Sequence, residues 1–258
     1  MTTDDFSGRA GVALVTGGTG GLGAAVCRML AARGSDVALT YRSNAEAAAA
    51  VITDVEGAGR RGSSWALDLV DVDAVGRVVA EVAEAHGGIH TFVHAAGPHI
   101  PQVHLSRVTP EQFRTALDGE AMGFFTVVHH LIPHLREAKG SIVAVTTAAT
   151  RRYPVRDGLS SGTKGSVEAL VRALAAEEGR FGIRANCVGP GMLTDGMAER
   201  LIASGDLDDR ALEVTMGNIP LRRFGDAADI AEAVCFLASD RADFISGQML
   251  DVDGGYGV

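Results

Sequence analysis

Thr16-Gly17-Gly18-Thr19-Gly20-Gly21-Leu22-Gly23 decides how this chain is read. The apolar run Val12-Ala13-Leu14-Val15 stands before it and predicts a buried strand. Residues 24–32 follow it and predict a helix, ended by Gly34. The glycines therefore lie between a strand and a helix. In that place they permit a tight turn, close approach of backbone to a pyrophosphate, and close packing of helix on strand. The helix start adds free N–H groups and the positive end of a dipole. A glycine-rich loop alone is equally a flexible turn. With strand–helix units repeating behind it, the loop points to a dinucleotide site.

Those units run through the whole chain. Strands are expected at 36–41, 62–67, 89–94, 141–147, 183–188 and 247–252. Helices are expected at 45–56, 72–86, 110–136, 164–181 and 227–238. Regular alternation predicts parallel strands joined by right-handed helical crossovers, hence an α/β, doubly wound Rossmann sheet. One domain over residues 1–258 is expected, without repeats or linkers. Residues 192–216 are the least regular stretch, follow Pro190-Gly191, and suit a lid over a cleft.

Composition narrows the function. The chain has 258 residues, 47% apolar and 21% charged, with 23 basic and 32 acidic side chains for a net charge of −9. Such an acidic chain has no general attraction to nucleic acid or to an anionic membrane. No apolar run approaches the ~20 residues of a membrane span. The start, Met1-Thr2-Thr3-Asp4-Asp5, lacks a signal-peptide pattern. Cys27, Cys187 and Cys235 sit apart in apolar surroundings and read as buried thiols. A cytoplasmic protein is expected.

In doubly wound sheets ligands lie beyond the carboxyl ends of the strands. The residues there are the glycine loop, Tyr41-Arg42-Ser43, Asp68-Leu69, His94-Ala95-Ala96-Gly97, Thr146-Thr147 and Val188-Gly189-Pro190-Gly191. Together they resemble the short-chain dehydrogenase/reductase family, over about residues 9–256. Thr16-Gly17-x-x-x-Gly21-x-Gly23 matches its cofactor loop, including Thr19, Gly20 and Leu22. Asp68 and Leu69 match its adenine contact, and Ala95-Ala96-Gly97 falls on its Asn-Ala-Gly motif. Residues 186–191, with Met192 and Thr194, match the segment walling the nicotinamide. Ser246-Gly247-Gln248 and residues 251–255 match its C-terminal signature.

The resemblance implies a nicotinamide cofactor and a homo-oligomer, a tetramer or dimer built through the two long helices and the C-terminal segment. NADP(H) is favoured over NAD(H). Tyr41 occupies the position of the ribose-binding carboxylate, and Arg42 and Ser43 supply a phosphate fork and a hydroxyl donor.

The family's Asn, Ser, Tyr and Lys chemistry is only partly present. Lys164 matches the Lys. Ser160 stands at the Tyr position, Thr147 at the Ser position and Glu120 at the Asn position. Thr147 keeps a hydroxyl. Ser160 binds an oxygen but is a poor proton donor, because an aliphatic hydroxyl titrates far above tyrosine's ~10. Glu120 is either a carboxyl acid or a partner for Lys164. Tyr153, in the loop that lines the family's substrate pocket, and His99 are replacement acids, or else a loop anchor and a solvated histidine. His130 and His134 have metal-ligand spacing but read as surface residues, and no metal is expected. Arg151, Arg152 and Arg156 either attract an anionic or carrier-bound substrate or form a solvated charge run. Three functions stay open: a reductase of a carbonyl or activated C=C in a small or acyl carrier-bound molecule, a cofactor-binding sensor or partner subunit without turnover, and a redox-neutral dehydratase, cyclase or isomerase.

Overall fold

A computed structural model describes residues 4–98, 100–194, 213–214 and 216–258. Strand β1 (Val12–Thr16) leads through the glycine loop into helix α1 (Gly21–Ala32). Then come β2 (Val37–Tyr41), α2 (Ala45–Gly57), β3 (Gly62–Ala66), α3 (Val72–His86) and β4 (Ile89–His94). Helix α4 (Pro110–Leu117) runs through a π-helical turn at Asp118–Met122 into α5 (Gly123–Ala138). Strand β5 (Ser141–Val145), helix α6 (Gly158–Glu178) and β6 (Arg184–Pro190) follow. Helix α7 (Ala227–Ala238) and β7 (Met249–Val252) are the last elements.

The seven strands form one parallel sheet in the order β3-β2-β1-β4-β5-β6-β7. The order reverses at β1, so the crevice between the ends of β1 and β4 is the topological switch point. Side chains alternate across each strand. Ala13, Val15, Val93, Val143 and Val188 face the layer of α1, α2 and α7. Leu14, Phe92, Ile142 and Ala185 face the layer of α3, α5 and α6. Both faces of the inner strands β1, β4 and β5 are buried, which is why β1 and β5 read as largely apolar runs.

Two departures from the sequence expectation matter for the site. First, α6 begins at Gly158, six residues before the expected start at 164. Gly158, Ser160, Ser161, Gly162 and Thr163 are poor helix formers. Burial of Leu159, Ser160, Ser161 and Thr163 nonetheless holds that turn. Second, the expected helix at 110–136 is interrupted by the π turn around Glu120. Most of the expected lid, 195–212 and 215, lies outside the described residues. Among those described, no helix is long and apolar enough to cross a membrane.

Candidate active site

The cofactor loop is shaped by what cannot fit. Gly17 has φ +71°, and a Cβ there would lie 2.6 Å from the Ala96 Cα. A Cβ on Gly23 would lie 2.2 Å from the Gly17 carbonyl oxygen. The loop is thus pressed onto the β4 end and onto α1, as side chains would forbid. Its outer surface is open: Gly20 and Gly21 are exposed, and a Cβ on Gly21 meets nothing within 4 Å. Gly20, at the start of α1, supplies no side-chain cap. The first-turn N–H groups of α1 therefore receive no side-chain cap from Gly20, the arrangement in which a helix start accepts an anion. Gly18 N–H donates to the Thr40 carbonyl at 3.0 Å, and Leu22 packs on the core, so the loop is anchored from below. Thr19 is half-buried within it. These residues fit a dinucleotide pyrophosphate.

The neighbouring strand ends extend this surface. Tyr41 packs partly on the core, while Arg42 and Ser43 are exposed beyond it. Asp68 is exposed, and its Oδ1 accepts the Val70 N–H at 3.1 Å. Leu69 lies beneath it, against Gly123. Ala95 N–H donates to the Thr16 carbonyl, continuing the β1–β4 pairing toward Ala96 and Gly97. Gly191 N–H donates to the Val252 carbonyl beyond Pro190. The Met192 carbonyl and the Thr194 N–H both bond Gly225, at 3.1 and 2.9 Å. The described end of the lid is therefore pinned.

Glu120 and Lys164 meet across the crevice. Lys164 Nζ donates to Glu120 Oε1 at 2.8 Å. The Glu120 side chain is 1% exposed and that of Lys164 17%. The other Glu120 oxygen, Oε2, is buried with no hydrogen-bond partner and lies 3.0 Å from where a Gly97 Cβ would stand. Of the two sequence readings for Glu120, the partner for Lys164 is the one formed. Farther along the same two helices, Arg136 donates Nε and Nη2 to Glu178 at 2.7 and 2.8 Å and fixes α5 on α6.

Ser160 lies one turn before Lys164 on the same face of α6 and is buried. Thr147 Oγ1 accepts the Ala149 N–H at 3.2 Å and caps the turn after β5. Tyr153 is 72% exposed. The arginines around it serve the C-terminal segment. Arg151 pairs with Asp251 at 3.4 Å, and Arg152 donates to the Tyr256 carbonyl while its guanidinium stacks on the Tyr256 ring. His99 lies outside the described residues. His130 packs against Gly76 of α3. Among the described residues, no group of three or more His, Cys, Asp or Glu is placed to hold a metal ion. All three cysteines are free and buried.

Sequence reasoning named His94 only as a strand end, and it missed Asp157 and Gln102. His94 is fully buried between Phe92 and Phe124, with Nδ1 3.0 Å from Thr16 Oγ1. Burial, then the charge of Lys164, pushes its pKa down to about 3, so it is neutral. Asp157 begins α6 and is hydrogen-bonded by Gln102 Nε2 at 2.9 Å. Helical spacing links 157, 160 and 164, a signal hidden by starting the helix at 164.

Comparison with known proteins agrees with this arrangement. A family profile described as "Enoyl-(Acyl carrier protein) reductase" matches residues 17–257. A versicolorin reductase of Emericella nidulans is 33% identical, over 98% of each chain. A 3-oxoacyl-[acyl-carrier-protein] reductase of Staphylococcus epidermidis is 32% identical, over 94% of this chain and 97% of its own. A short-chain dehydrogenase of Burkholderia cenocepacia, solved in complex with NADP, superposes with a TM-score of 0.87 at 32% identity, covering 97% of this chain and 99% of its own. With its glycine cradle, retained lysine and seven-stranded sheet, this chain is a member of the short-chain dehydrogenase/reductase family, an oxidoreductase family.

Proposed function

We propose that this protein is an NADP(H)-dependent reductase of a carbonyl or an activated C=C, in a small or carrier-bound molecule, with a proton donor other than tyrosine. The observation that carries the reading is the buried Glu120–Lys164 pair, set beside an intact glycine cradle. A carboxylate that holds the lysine ammonium in place does the orienting work that a tyrosine hydroxyl would otherwise share. Bound NADPH supplies hydride. Gly17, Gly23 and the α1 start hold the pyrophosphate, Arg42 and Ser43 the 2′-phosphate, and Lys164 the nicotinamide ribose. Thr147 and Ser160 hydroxyls bind the substrate oxygen. The NADP complex of the 32%-identical Burkholderia relative supports the choice of cofactor.

The protein works as a homo-oligomer in the cytoplasm. Met122 and Phe125 of the long-helix layer and Phe244 near the C-terminus are exposed and available to a second copy. Three free buried thiols suit a reducing compartment.

The test is a fluorescence titration with NADPH and NADH, followed by a scan for NADPH oxidation against carbonyl and enoyl compounds. Tighter NADPH binding with substrate-dependent oxidation is expected. Tight binding without oxidation favours the second reading, a cofactor-binding sensor, to which the Ser160 replacement also points. Failure to bind either nucleotide overturns both.

A further inference from the structure

Three residues of α6 share one stripe: Asp157 at its start, Ser160 three residues on and Lys164 four beyond that. Lys164 reaches the crevice beside Gly97 and Glu120, and the stripe runs from it past Ser160 to Asp157 at the helix start. The carboxyl group is not used as a helix cap. Asp157 occupies the N-cap position, where an aspartate ordinarily accepts N–H bonds from the first turn, yet makes no such bond. Its Oδ1 instead accepts from Gln102 Nε2 at 2.9 Å. That bond joins the 100–109 segment to the start of α6, and Leu105 packs on Gly158 beside it. Arg156, just before, has φ +76°, a left-handed conformation that costs an arginine about 1 kcal/mol. Strain of this kind persists where the surroundings over-determine a side chain's direction.

We infer that Asp157 is the proton donor of the reduction, standing in for the tyrosine that Ser160 replaces. The inference rests on the reductase reading and names its missing acid. Burial pushes the Asp157 carboxyl up from its ordinary value, against the Gln102 hydrogen bond and the Lys164 charge. A carboxyl shifted this way keeps its proton to higher pH and can give it up in the transition state. Glu120 is not in that position, because its carboxylate is committed to Lys164. Tyr153 is 72% exposed. As the substrate carbon accepts hydride from the nicotinamide, the O–H bond of Asp157 breaks and its proton passes to the substrate oxygen or, for an enoyl substrate, to the α-carbon. Asp157 is left as carboxylate and regains a proton from solvent. Among the described residues, the charged groups set around it are Lys164 and, through it, Glu120, with Arg156 adjacent in the chain.

The first test needs no substrate. In protein labelled with ¹³C at aspartate carboxyls, the resonance lost in Asp157→Asn identifies Asp157, and its pH titration is followed. A midpoint above the ordinary carboxylate range is expected, and Gln102→Leu raises it further, since the amide donates to the ionised form. A midpoint at or below the ordinary range overturns the inference, as does one indifferent to Gln102→Leu. The second test uses NADPH with acetoacetyl-coenzyme A, or whichever scanned carbonyl or enoyl compound the wild type reduces. Asp157→Asn keeps the Gln102 contact and NADPH affinity, and lowers kcat by about 10²–10⁴-fold. An unchanged kcat, or a change confined to KM, overturns the donor role. A wild type that reduces none of the scanned compounds counts against the reductase reading, while the titration judges Asp157 separately.

Discussion

Lys164 of α6 gives its ammonium to Glu120 of the π turn at 2.8 Å, and Glu120 offers no other atom to solvent. The pair fastens two helices at the crevice, as Arg136 and Glu178 fasten them at the far end. Glu120→Ala leaves a largely buried ammonium without its partner, and breaking such a pair costs about 3 kcal/mol or more. Urea unfolding checks this through a lower midpoint at constant m. Glu120→Gln combined with Lys164→Met restores most of the loss, because a neutral pair leaves no buried charge.

Gly23→Ala forces a Cβ onto the Gly17 carbonyl, at 2.2 Å in the present backbone. The loop must open, so NADPH and NADH are both lost to titration while the secondary structure, followed by circular dichroism, is retained. Equal binding by this variant would remove the glycine loop from the cofactor site.

The proposed 2′-phosphate contact of Arg42 is tested with the two nucleotides side by side. A charge-assisted phosphate bond is worth about 1.5–3 kcal/mol. Arg42→Ala therefore weakens NADPH by roughly 10- to 100-fold and leaves NADH within about twofold. Parallel losses for both nucleotides would contradict recognition of the 2′-phosphate by this exposed side chain.

Tyr153→Phe tests the exposed ring. With 72% of the residue in solvent, the hydroxyl has no enclosed acid to replace, and kcat stays near wild type. A loss of the size expected for Asp157→Asn would move the donor role to Tyr153.

Two buried histidines set the acid side of the stability curve. Burial pushes His94 down to about 3 and His90 to about 4, from about 6.5 in the unfolded chain. The unfolded state therefore takes up protons first. Stability is fully present above pH ~6.5 and falls as pH drops from there toward the folded values, by about 1.4 kcal/mol per unit for each group. At pH 5 each has withdrawn roughly 2 kcal/mol. Thermal melts between pH 7 and pH 5 read the slope, and His94→Gln removes about half of it. A slope unchanged in that variant would mean that His94 does not titrate on unfolding.

How much of this was legible in the sequence depended on how local the encoding was. The glycine loop, the strand ends and the sheet class are written in contiguous residues, and their roles follow from backbone sterics and alternation. Lys164, Ser160 and Thr147 were picked out by the resemblance, whose motif spacing they keep. Asp157 was not, because Gly158, Ser160, Ser161, Gly162 and Thr163 carry little helical preference and are helical through packing. Nor could the sequence choose between an acid and an ion-pair role for Glu120. That choice depends on the side chain opposite it, 44 positions away.

The π turn at Asp118–Met122 has a consequence for insertions and deletions. Each α-helical residue advances the side chains by about 100°, and a π turn holds one residue more than the α turn it replaces. Upstream, Ala116 is seated against Ile100 and Leu159; downstream, Phe124, Val127 and Leu131 are seated on the sheet. The π turn takes up that extra residue locally, so both stretches keep their phase against unrelated partners. Losing one residue between 118 and 122 would turn the π turn into an ordinary α turn and leave both stretches near their phase, whereas losing one residue within 110–117 would swing everything before the cut by about 100°. The helix works here as a vernier, and Glu120 sits on its scale.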